Sequence, residues 1–185
     1  MNLKSWLFLA VFLFVIGVIW GLFVFVHMPT TGPLAEDVTA LKKLSDFLLP
    51  LPQTSVFAFI FLKNAAALLI GFALSPFFCL VPLAALVING GLLGLVSGTV
   101  VQEKSFGYLL AGVLPHGIFE IPALIIGEAA ALSFGSSVML ALVNRERRKL
   151  LLPNLKKNAR YLALAVILLF PAALIETYVT PLLVR

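Results

Sequence analysis

Charge is what this sequence has least of. Charged residues make up 11% of its 185 positions, against about a quarter in an ordinary soluble domain, so a water-facing surface of normal polarity is excluded. Cysteine occurs once, at Cys79, which rules out an internal disulfide and any multi-cysteine metal site. Histidine occurs twice, as His27 and His116. Neither belongs to a His-Glu-x-x-His motif, and no Gly-x-Ser-x-Gly nucleophile turn is present. Ser133, Ser136 and Ser137 have no second histidine in the apolar segments to activate them. An intramembrane metalloenzyme is therefore a distant third reading.

Apolar side chains fill the space that polar ones leave. Hydrophobic residues are 62% of the chain and the mean hydropathy is +1.12, values that belong to an integral membrane protein whose first partner is the lipid bilayer. The length fits a single transmembrane domain over 1–185, an all-α polytopic helix bundle. The expected spans are 6–26, 55–74, 76–101, 106–143 and 162–179. The run over 6–26 is longer than the apolar core of a signal peptide, about 7–15 residues, and no small-x-small cleavage pattern follows it, so it reads as a retained span. The run over 106–143 would measure about 57 Å as one straight helix, too long for a bilayer core of about 30 Å. A broken helix at Pro115-His116-Gly117 is expected to relieve that excess, giving either a short interfacial or re-entrant piece before one span or two crossings. About five crossings in all, in preference to six, keep Lys4 and the basic segment 144–161 on one side.

Polar segments are few. Within 27–52, Val38, Leu41, Leu44 and Leu48 fall at helical spacing opposite Lys42, Lys43 and Asp46, as in a short amphipathic surface helix. The segment 144–161 holds seven basic residues against one acid, Glu146. Basic loops stay on the cytoplasmic side, so this loop and the N-terminus beside Lys4 are placed inside and the C-terminus outside. The net charge of +5 belongs mainly to loops and does not argue for nucleic acid.

The ionisable groups inside apolar runs carry the functional argument. Such groups are expensive in hydrocarbon and tend to be paired, wetted and functional. Lys63 and Asn64 interrupt the second span, and Asn89 stands in the third. His116 and Glu120 lie one helical turn apart in the fourth, Glu128 lies deeper, and Glu176 closes the fifth. With the N-terminus inside, Lys63, Asn64, His116, Glu120 and Glu176 converge in the outer half, Asn89 sits near its border and Glu128 falls below it. One imidazole and up to three carboxylates make His116, Glu120 and Glu176 candidate ligands for a divalent metal ion. The alternative is a buried histidine and glutamate that simply hydrogen-bond each other and lock the bundle. Two small-residue stripes, Gly90/Gly94/Gly98 and Ala123/Gly127/Ala131/Gly135, are candidate helix-packing faces, as is the pair Gly17 and Gly21. Phe72 and Phe78 are placed off these stripes.

Several of these residues also make up a recognisable pattern. Asn89-Gly90-Gly91-x-x-Gly94, Pro115-His116-Gly117-x-x-Glu120-x-Pro122 and Ala172-Ala173-x-x-Glu176-x-x-x-x-Pro181 resemble the stage II sporulation protein M family, over about residues 59 to 181. The resemblance implies a membrane scaffold or partner of other membrane or envelope proteins in cell-wall remodelling. The competing class is a small transporter or channel-like subunit that handles an ion or proton, expected at this size to work as a homo-oligomer.

Overall fold

The computed structural model describes residues 3–27 and 51–184. The expected amphipathic helix with Val38 to Leu48 lies outside the described residues. Five helices are long and apolar enough to cross a membrane. They begin with α1 (Leu3–His27), α2 (Gln53–Leu74), α3 (Leu80–Glu103) and α4 (Phe106–Val143). A 3-10 turn, Arg145–Leu150, then leads into α5 (Leu151–Leu174), a π-helical segment (Ile175–Val179) and the short α6 (Thr180–Leu183). Among the described residues the elements are all helical, as expected where every backbone N–H and C=O must be satisfied within its own segment.

The boundaries differ from expectation in three places, each for a local reason. Span three begins at Leu80 and not at Pro76, because 75–79 form a turn in which Phe78 and Cys79 adopt left-handed φ values of 54° and 56°. Left-handed backbone is costly for residues with a Cβ. Here it reverses the chain between α2 and α3 within five residues. Second, the break at Pro115-His116-Gly117 is absent: α4 is one helix of 38 residues with Pro115 and Pro122 inside it. A proline removes one backbone donor and crowds the preceding turn, but the ladder on either side can close again. The helix starts at Ser105, whose side chain accepts a hydrogen bond from the Tyr108 amide at 3.1 Å, so the apolar turns before Pro115 are nucleated from their own cap. Third, the basic segment is only briefly a loop. From Leu151 it is already helical, so Lys156, Lys157 and Arg160 decorate the first turns of α5.

Helix α4 lies between two layers of the core. On one side Ala123, Ala130 and Ala131 pack with Ala65, Leu68 and Phe72 of α2 and with Leu162, Ala165 and Leu169 of α5. On the other, Ile125, Ala129 and Leu132 pack with Ala10 and Phe14 of α1, Cys79, and Leu86 of α3. Phe72, expected off the packing faces, is buried and stacks on Phe134 with centroids 5.2 Å apart. The period of α2 did not reveal this, because lipid-facing and core-facing positions are equally apolar in a membrane helix.

Glycine sets the helix spacing. A Cβ at Gly17 or Gly21 would collide with the carbonyls of Val87 and Gly91, and one at Gly90 or Gly94 with those of Phe14 and Val18. Helices α1 and α3 therefore touch backbone to backbone, which only glycine permits. Gly98, expected to continue this stripe, departs from it. It is only partly buried, and a Cβ there would run into the ring of Phe25 and not into backbone. The Phe25 side chain occupies the space between α1 and α3 one turn past Gly94, so the direct backbone seam ends at Gly94 and Gly98 makes room for a ring instead.

On α4 a Cβ at Gly135 would strike the Ser75 carbonyl, whereas at Gly127 it would meet Leu68 at 2.8 Å. Around Gly117 a Cβ meets nothing nearer than 3.6 Å. Gly94→Ala and Gly135→Ala are accordingly expected to lower stability by about 1–3 kcal/mol through overpacking. Gly117→Ala should be neutral or stabilising by up to about 1 kcal/mol. Thermal unfolding in detergent, followed by circular dichroism, checks both; equal losses at all three positions would contradict this packing.

Candidate functional site

The π segment after α5 is what completes the site. Pro171 cannot donate the helical bond from its own nitrogen, and four residues later the ladder opens into the π turn that carries Glu176. The widened turn sets Glu176 and Thr180 against α4 at His116 and Glu120. One ligand atom from each of His116, Glu120 and Glu176 lies within 4.8 Å of the other two. All three residues are partly buried, with the His116 side chain 16% and the Glu120 side chain 35% exposed.

Within the site, His116 Nε2 faces Glu120 Oε2 at 3.8 Å, one turn along α4. The other ring nitrogen, Nδ1, is 3.5 Å from the Thr180 hydroxyl. With its Nδ1 proton donated to Thr180, the imidazole would present the Nε2 lone pair to a ligand, the usual arrangement behind a metal-binding histidine. The second carboxylate oxygen of Glu120, Oε1, accepts a hydrogen bond from Asn64 Nδ2 at 3.2 Å, which ties α2 to α4. Two carboxylates and an imidazole are hard-to-borderline donors of the kind that zinc or manganese accepts. The same atoms can share a proton.

The remaining sequence candidates are distributed around this centre. Lys63 is exposed and makes no ion pair within 4.0 Å among the described residues, although its charge, like that of Glu120, is within electrostatic range of Glu176. Asn89 spends its amide on the Ala85 carbonyl of its own helix at 2.7 Å. Together with Asn64, Glu120 and Glu128 it also lines a small cavity of about 50 Å³, above the roughly 10–15 Å³ that one water requires. Glu128 is 1% exposed and its Oε2 has no hydrogen-bond partner among the described residues. It stands two turns below Glu120 on α4, outside the three-residue group.

Two contributors escaped the sequence reading. Thr180 lies four residues beyond Glu176, a spacing that puts both on one helical face and could have marked it. Gly71 makes room for Glu128: a Cβ there would lie 3.1 Å from both carboxylate oxygens. Its position two turns beyond Asn64 on α2 was the available signal.

Five apolar helices with a polar centre between them define a multi-pass integral membrane protein. A sequence model described as stage II sporulation protein M matches residues 10–181, so the chain belongs to the stage II sporulation protein M family. It is 29% identical over 175 residues to an uncharacterized protein of Methanocaldococcus jannaschii, covering 94% of this chain and 92% of that one. A second uncharacterized protein of the same organism is 35% identical over 79 residues, covering 42% of this chain and 36% of its own. No solved structure matches the chain.

The hydrogen bond from Asn64 leads to a test. Glu120→Ala leaves the partly buried Asn64 amide without its acceptor and is expected to cost about 1–3 kcal/mol. Glu120→Gln keeps a carbonyl oxygen for Asn64 and should cost less than half as much. Thermal unfolding of the two variants side by side measures the difference, and equal losses would show that the Asn64–Glu120 bond contributes nothing.

Proposed function

We propose that this chain is a non-enzymatic membrane partner subunit of the envelope-remodelling kind, whose bundle is clasped by a divalent cation held at His116, Glu120 and Glu176. The observation that carries this reading is the approach of three ligand atoms to within 4.8 Å, two from α4 and one from the π segment. A bound ion would bridge the longest helix to the C-terminal turn and turn mutual carboxylate repulsion into attraction. Scaffold proteins gain from such a clasp because it holds an outer surface in one shape for a partner.

The proposed orientation puts the basic turn and the N-terminus in the cytoplasm, where positively charged loops are retained. The clasp and the C-terminus then face outward, toward the envelope. Family membership supports the envelope role.

A second reading is favoured by one specific feature, the buried Oε2 of Glu128, which has no hydrogen-bond partner among the described residues. An unpaired carboxyl costs a scaffold stability without return. In an ion- or proton-handling subunit it would serve as an inner station, reached from Glu120 through the cavity that Asn64 and Asn89 line.

Metal analysis of the purified protein decides the first point. About one divalent ion per chain is expected, together with a melting temperature that falls on chelation, and His116→Ala should lose both effects. Absence of bound metal, with no response to added zinc or manganese, would remove the clasp. Glu128→Gln in proteoliposomes separates the two readings: a scaffold keeps its metal and shows no flux with or without the substitution, whereas a carrier shows cation or proton flux that the amide abolishes. Orientation is tested in a Cys79→Ser background. Maleimide labels at Leu150→Cys and Val184→Cys are expected to enter from opposite sides of the membrane, and labelling of both from one side would overturn the five-crossing arrangement.

A further inference from the structure

At the opposite end of α4 from the clasp lies a second polar cavity, of about 260 Å³. Three serines of α4 (Ser133, Ser136 and Ser137), Asn154 and Lys157 of α5, and Arg147 of the 3-10 turn contribute to its wall. Polar groups thus meet here from three consecutive elements, in a chain that has few of them to spend.

The donors are arranged for an anion. Among the described residues, neither Arg147 nor Lys157 has an acidic partner within 4.0 Å. Their neighbour Arg148 is used otherwise: its Nε donates to the Ala141 carbonyl at 3.2 Å and closes the end of α4. Asn154 Nδ2 donates to Ser137 Oγ at 3.3 Å, and Ser137 in turn donates to the Ser133 carbonyl at 2.8 Å. That chain fixes one wall of the cavity and leaves the Ser133 and Ser136 hydroxyls without hydrogen-bond partners among the described residues. Two unpaired cations and two uncommitted hydroxyls around a cavity this size match the oxygens of a phosphate group. Among the described residues no carboxylate lines the cavity to oppose it.

Position adds the source. Leu140 and Leu150 edge the cavity, and Leu142, Val143 and Leu152 beside it are exposed. The opening therefore sits where apolar surface gives way to the basic turn, the level at which a spanning helix would meet lipid headgroups. Basic pockets between transmembrane helices on the cytoplasmic side, where the proposed orientation puts this opening, are suited to anionic headgroups. Trp6 of α1 also lines the cavity, and tryptophan is at home in the same layer.

We propose that the cavity bounded by Ser133, Ser136, Arg147, Asn154 and Lys157 binds a phosphate group, carried by an anionic lipid headgroup or by free phosphate. The proposal is independent of the metal clasp. Its ligand would tie α1, α4 and α5 together at the end of the bundle that the clasp does not reach.

Trp6 supplies the readout. The chain has two tryptophans, so Trp20→Phe leaves Trp6 as the sole emitter in the full-length protein. In nanodiscs of phosphatidylcholine, added phosphatidylglycerol is expected to shift Trp6 emission saturably. Arg147→Gln and Lys157→Gln should each weaken that response about fivefold, and the pair about twentyfold. Lys156→Gln with Arg160→Gln removes the same charge from α5 away from the cavity and should change it less than about twofold. The single variants carry the test if the double variant fails to fold. A response to phosphatidylglycerol alone assigns the site to a lipid headgroup, and a saturable response to inorganic phosphate in pure phosphatidylcholine assigns it to free phosphate. No response to either probe, or equal weakening by the two double variants, overturns the site.

Discussion

Backbone contact through glycine is the constraint on which this structure depends. Lipid tails are as apolar as leucine, so apolar side chains gain little by leaving them for one another, and helices must be held by close packing and by polar bonds between them. The α1–α3 seam shows the first of these in its strictest form, with Gly17, Gly21, Gly90 and Gly94 each lying against a carbonyl of the facing helix. Once that seam is closed, Phe14 and Leu86 form with Ala129 and Leu132 the layer on which α4 rests. Helix α4 in turn presents Ala123, Gly127 and Ala131 to α2 and α5.

The same tightness explains where the polar groups can be. A carboxylate between packed helices needs space, and Gly71 provides it for Glu128. A carboxylate also needs a donor, and Asn64 provides one for Glu120. Glu176 reaches the centre because the helix after Pro171 widens into a π turn. An unstrained α-helix would continue the periodicity of α5. The open turn instead gives His116 and Glu120 a second carboxylate as neighbour and brings Thr180 to the imidazole.

Helix α4 links two chemically different ends. Glu120 and Ser133 are separated by 13 residues of one helix, or about 20 Å at 1.5 Å per residue. The first end gathers carboxylates and an imidazole, and the second gathers cations and hydroxyls. A cation at one end and a phosphate at the other would each neutralise charge that the apolar bundle cannot solvate. Both would also join α4 to the α5 region at opposite extremes of their shared face, which leaves the packed middle to glycine and alanine.

Much of this was legible from residue order alone. Hydropathy was enough for a five-helix membrane protein, because only continuous apolar runs of sufficient length satisfy the backbone in lipid. Spacing by four was enough to put Gly90 and Gly94, and Ala123, Gly127, Ala131 and Gly135, on packed faces, since helical period maps directly onto helix faces. His116 and Glu120 were visible as neighbours for the same reason. The tertiary structure decided what period cannot carry. Where the α1–α3 seam stops is one such point: Gly98 keeps the spacing of Gly90 and Gly94, yet the ring of Phe25 and not a backbone lies against it. The continuity of α4 through Pro115 depends on capping at Ser105 and on packing along its whole length. Burial of Phe72 depends on which apolar face meets Phe134 and which meets lipid, a difference that hydropathy does not register. The meeting of Glu176 with His116, and of Arg147 with Ser136, joins residues far apart in the chain. Such contacts follow from how helices pair and where one ladder opens, and neither is written in the spacing of any single segment.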